Sequence, residues 1–244
     1  MVDYLYDGTF EGLLTCIYYH YYGEKATGIY PQEEYQSGLL GGFKVQETEE
    51  DKSDIVYGAI AQKISAYDLG RIYKVYRSSV EDKETKILNY VRFGFNHGSG
   101  TSMFHGHPIV FEVQKAEKKV NNEIHRLTGL IRFTLLNNQV LYSPIEPDHD
   151  VVEFLADHFC DRFREEAFII HDLKREKALI SAKGEWYISK FTKEDLPPIG
   201  EEEELYRTLW KNYFDTIAIK ERTNPRCQKN FMPIRYWKHL TEMQ

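Results

Sequence analysis

The apolar residues of this 244-residue chain change their period near residue 127. Up to about His125 they recur at helical spacing, and beyond it they alternate in short runs broken by turn residues. Helical and strand periods segregated in this way point to an α+β fold, with helices and an antiparallel sheet occupying successive stretches. The first helical stripe is Phe10, Leu13, Leu14, Ile17, Tyr18 and Tyr21, entered through Asp7 or Thr9 as cap and ended by Gly23. Residues 23–53 are rich in glycine and charge and read as an irregular connection. Helices are expected again around Ile55–Tyr67, Leu69–Tyr76, Ile87–Phe95 and Ile109–His125. The strand-like runs are 127–136, 139–145, 168–171, 178–181 and 186–189, with Asn137-Asn138 and Lys183-Gly184 as hairpin turns. One helix, Val151–Phe163, interrupts them, giving β-β-α-β-β-β. A last helix carries Leu205, Leu209, Trp210, Tyr213, Phe214 and Ile217, and a basic tail follows. The organisation is therefore a helical N-terminal region, 1–82, and an α+β region, 83–244.

With 42% hydrophobic residues the chain can build a normal core. It lacks an apolar run long enough for a membrane helix, and its start has no signal-peptide pattern. Cys16, Cys160 and Cys227 are widely separated and odd in number, which suits a reducing compartment, so a cytoplasmic location is expected. The net charge of −7 hides an asymmetry. From Ile219 onward, Lys220, Arg222, Arg226, Lys229, Arg235 and Lys238 stand against Glu221 and Glu242, a local +4. A polyanion responds to such a patch rather than to the total.

Nine histidines raise the question of a metal, but no H-E-x-x-H and no paired C-x-x-C occurs, so no metal site and no cofactor is expected. The absence of G-x-G-x-x-G, P-loop and G-x-S-x-G motifs leaves nucleotide hydrolysis and serine-hydrolase chemistry without support. Glu146 and His149, with His125, are the candidates for acid–base chemistry, although carboxylates at a strand-to-helix junction equally serve as helix caps. Arg132 lies either on a solvated sheet face or, with His125 and Arg126, in an anion-binding patch.

Three segments carry a family resemblance. The tail Leu209-Trp210-Lys211-Asn212-Tyr213-Phe214, Ile219–Pro225 and Phe231-Met232-Pro233-Ile234-Arg235-Tyr236-Trp237-Lys238 resembles the C-terminal signature of a family described as probable DNA-metabolism proteins. Glu123–Phe133 and Ile145–Asp150 resemble its E-x-H-R-x-x-G-x-x-R-F and E-P-x-H segments, and Tyr6–Gly12 is similar to the opening of its free-standing members. Such proteins occur beside a radical-SAM protein associated with DNA repair, or as a domain fused to uracil-DNA glycosylases. The shared domain then runs from about residue 83. The resemblance implies a role in DNA repair, with catalysis belonging to those partners.

Three functions follow as expectations. The first is a noncatalytic adaptor that binds DNA through Arg126, Arg132 and the tail, where Lys220, Arg222, Arg226, Lys229, Arg235 and Lys238 meet phosphates and Tyr236 and Trp237 stack on bases. The second is an enzyme acting on nucleic acid or a modified base through His125, His149 and neighbouring carboxylates. The third is a structural partner whose tail docks to protein.

Overall fold

The computed structural model describes residues 2–36 and 42–244, in two compact units, Met1–Val120 and Asn121–Gln244. The first unit is built on a parallel three-stranded sheet. Its strands are β1 (Val2–Tyr6), β2 (Ala26–Pro31) and β3 (Gly42–Val45), in the order β2-β1-β3. Helix α1 (Phe10–Tyr22) crosses from β1 to β2. Thr9 caps it by accepting from the Gly12 amide at 3.0 Å, while Asp7 holds the Thr9 hydroxyl at 2.6 Å. Helices α2 (Glu50–Lys63), α3 (Ala66–Tyr76) and α4 (Lys83–His97) complete this unit, together with the opening of α5 (Pro108–Leu130).

Leu13, Ile17, Ile29, Ile60, Ile72, Ile87 and Val91 lose all contact with water in one continuous core. Each such side chain contributes about 1.5–3 kcal/mol of hydrophobic stabilisation. Within that core Arg71 pairs with Asp68 at 3.0 Å and Glu117 at 2.7 Å, tying α3 to α5.

The N-terminal region is thus not purely helical, as its apolar stripes suggest. β1 is buried along nearly its whole length, so it shows no alternation, and β2 carries Gly28 and Pro31. Both features remove the pattern by which a strand is read. The acidic stretch before Ile55 is likewise helical: Glu50 and Asp51 form the first turn of α2, where carboxylates favour the positive end of the helix dipole. Part of the connection expected over 23–53, residues 37–41, lies outside the described residues.

The second unit holds the five-stranded sheet β4 (Thr134–Leu135), β5 (Leu141–Ile145), β6 (Phe168–Asp172), β7 (Lys177–Ala182) and β8 (Glu185–Lys190), paired in chain order. With α6 (Ala156–Arg162) between β5 and β6, the element order is β-β-α-β-β-β and the class is α+β. The sheet is mixed rather than wholly antiparallel: β5 and β6 run parallel, and the other neighbours are antiparallel. A connection that climbs back through a helix returns its strand in the same direction, whereas short turns reverse it. Lys183 and Gly184 make such a turn, both at positive φ, 54° and 81°.

The expected strand 127–136 shrinks to Thr134–Leu135, because α5 runs on to Leu130. Val120 and Leu127, both buried, are seven apart and continue one helical stripe. Phe159 and Phe163 meet Phe133 and Phe168, fixing α6 against the sheet. The chain closes with α7 (Glu203–Ile217), α8 (Pro225–Phe231) and the 3-10 turns Ile234–His239 and Thr241–Met243. No helix among the described residues is long and apolar enough to cross a membrane.

Candidate functional site

Glu123 organises the C-terminal unit. It sits on α5, 2% exposed, and its two oxygens accept from the Asp148 amide at 2.9 Å and the His149 amide at 2.8 Å. The oxygen facing Asp148 also receives the Tyr236 hydroxyl at 2.7 Å and the Arg235 guanidinium at 3.1 Å. Arg235 reaches Asp148 at 2.6 Å as well. One buried carboxylate therefore joins α5, the loop after β5 and the tail. Charge-assisted hydrogen bonds of this kind are among the stronger ones in a protein.

Glu146 extends the same joint: Lys238 binds it at 2.6 Å, holding its carboxyl below the usual range, and His239 approaches at 3.5 Å. Lys177 pairs with Asp150. Burial raises the Tyr236 hydroxyl far above its ordinary value, and the bond to Glu123 adds to this.

A second joint forms around Glu242. Arg132 grips its carboxylate with two nitrogens, at 2.6 and 3.2 Å, and the Trp210 indole donates at 2.9 Å. Burial pushes the Glu242 carboxyl up, but the bonds from Arg132 and Trp210 outweigh it and leave it below the usual range. The Arg132 guanidinium also lies over the Trp210 ring, 5.5 Å from its centre.

These joints sort the residues singled out from the sequence. Arg132, Arg235 and Lys238 are spent on carboxylates of the chain itself. Tyr236 is only 3% exposed, so its ring offers no face to a base, and the Trp237 indole donates to the Met232 carbonyl at 2.8 Å. Arg222, Arg226 and Lys229 are exposed, and among the described residues no ion pair holds them. The side chain of Lys220 lies outside the described residues.

His125 and Arg126 line a hollow of about 430 Å³ between α5 and α8, with Asn122, Gly129, Leu130, Asn230 and Phe231. Phe231 stands at its edge, 76% exposed. His149 is buried and belongs to the Glu123 joint, and Glu146 to the Lys238 pair, so the three acid–base candidates are not gathered in that hollow. Among the described residues no group of His, Cys, Asp and Glu is arranged to hold a metal ion.

Another depression went unread in the sequence. A groove of about 760 Å³ runs between the end of α5, α6 and α7, and Arg132, Arg162, Arg207, Phe163, Trp210 and Tyr213 are among its lining residues. The apolar stripe of α7 looks like a core face, but Leu205, Leu209, Tyr213 and Ile217 are all more than half exposed.

A family model described as a domain of unknown function, DUF4130, matches residues 81–242. No curated protein and no solved structure is significantly similar to the chain.

Proposed function

The chain belongs to the DUF4130 family of domains of unknown function, and on that premise we propose that it is a noncatalytic accessory protein of DNA metabolism that binds nucleic acid through its C-terminal unit. The observation that carries this reading is the hollow between α5 and α8. There His125 and Arg126 from the middle of the chain share a surface with Asn230 and Phe231, and Phe231 follows the exposed Arg226 and Lys229 on α8. Exposed cations without carboxylate partners are free to replace the counterions of a phosphate backbone. An aromatic ring at the rim gives a base a surface on which to stack.

On this reading the protein acts in the cytoplasm, and chemistry on the DNA belongs to a partner such as a radical-SAM protein or a uracil-DNA glycosylase. The test is fluorescence anisotropy with labelled DNA, comparing the parent with the double variant Arg226→Glu and Lys229→Glu. Both side chains are exposed, so folding should be nearly unchanged. Affinity should fall by roughly tenfold or more, since two phosphate contacts become repulsive. Equal affinity in parent and variant would contradict the proposal.

A further inference from the structure

We infer that the groove between α5, α6 and α7 takes an unpaired strand of nucleic acid, continuing a path that begins at the hollow beside α8. This rests on the nucleic-acid reading above and adds to it the class of ligand, single-stranded rather than duplex.

Three observations carry the inference. The first is continuity. Gly129 lines both the hollow and the groove, and a side chain placed there would meet nothing within 4 Å. The bare backbone of α5 is thus an open saddle between the two depressions. Arg126 lines the hollow on one side of Gly129, and Arg132, which donates to the Gly129 carbonyl at 3.0 Å, lines the groove on the other.

The second is the chemistry of the lining. Arg162 lies over the Phe163 ring at 5.6 Å and Arg132 over Trp210 at 5.5 Å, while Tyr213 lies 5.8 Å from Trp210. Aromatic rings and guanidinium planes suit bases that have left a duplex, because every base presents a flat π-face.

The third is charge. Arg132, Arg162 and Arg207 line the groove against one lining carboxylate, Glu203, which Arg207 binds at 2.9 Å. Glu242 neutralises Arg132, and no ion pair among the described residues holds Arg162. The surplus is positive and sits beside the rings, as a phosphate between stacked bases requires. An amphipathic helix of a partner protein would fill the apolar part of the groove but leave Arg162 without an anion.

The experiment uses the full chain, a single-stranded oligothymidine of about 12 nucleotides and a duplex of similar length, each labelled for anisotropy. The groove variant is Arg162→Ala with Tyr213→Ala, both exposed, and thermal melting checks that it folds like the parent. The parent should prefer the single strand. The groove variant should lose about tenfold or more of that affinity while binding the duplex as the parent does. The Arg226→Glu and Lys229→Glu variant should weaken on both DNAs. If the groove variant binds the single strand like the parent while the α8 variant still weakens, the groove is not the strand site, although nucleic-acid binding stands. If the parent binds neither DNA, both readings fail.

Discussion

Glu123 holds three separate stretches of the C-terminal unit together. Its removal would take the shared acceptor from two backbone amides and a tyrosine hydroxyl and leave the Arg235 guanidinium to the Asp148 carboxylate. A buried donor left without an acceptor costs about 1–3 kcal/mol. Glu123→Ala should therefore lose stability on that scale in chemical denaturation, and Glu123→Gln, which keeps one acceptor, should lose less. A loss for Glu123→Ala below about 0.5 kcal/mol, the size of an ordinary surface change, would mean that the tail is not held there. Glu242 makes the complementary pH prediction. Its carboxyl titrates lower in the folded protein than in the unfolded chain. The stability it confers is then complete above the unfolded value, about 4.3, and is lost as pH falls through the folded value. Glu242→Gln should be less stable than the parent at neutral pH, and the gap should close on acidification. A gap that is constant with pH would argue against the Arg132 and Trp210 contacts. At this scale the sequence was half legible. The spacing of Val120, Glu123 and Leu127 already puts the carboxylate on the buried stripe of α5, and His125 and Arg126 off it. The side-chain partners of Glu123, Arg235 and Tyr236, lie more than a hundred residues further on, and no local pattern announces such a pairing.

Helices α6 and α7 show what an apolar stripe does and does not reveal. Both carry hydrophobic residues at helical spacing, yet Leu155, at the entrance to α6, is fully buried while Leu209 on α7 is more than half exposed. Leu155→Asp should abolish cooperative unfolding of the C-terminal unit, because an unpaired carboxylate in an apolar interior costs more than a typical domain can supply. The same change at Leu209 should leave the melting transition almost where it was. Circular dichroism on the two variants checks this, and equal effects would contradict the assignment of the two helix faces. The elements themselves were mostly readable. Strands buried on both sides, such as β1, were not, nor was the direction of β6, which depends on the route of the chain through α6 rather than on any residue within the strand.

For the molecule as a whole, the charge balance becomes informative once the cations are sorted by what they touch. Arg235 and Lys238 in the tail hold the chain together, whereas Arg222, Arg226 and Lys229 face solvent. The basic tail was visible in the sequence, but its division into structural and free groups depends on where Glu123, Glu146 and Glu242 lie in space. The groove beside α7 was invisible for a related reason, since its lining comes from four separate stretches of chain. The central claim is that the free cations bind a nucleic-acid backbone, and the salt dependence of binding tests it most directly. Arg126, Arg222, Arg226 and Lys229 are the groups in question. If all four meet phosphates, the logarithm of the affinity for duplex DNA should fall against the logarithm of the salt concentration with a slope of about −3.6. Arg226→Glu with Lys229→Glu should flatten that slope by about one to two. A slope near zero in the parent, or one that the double charge reversal leaves unchanged, would contradict the account.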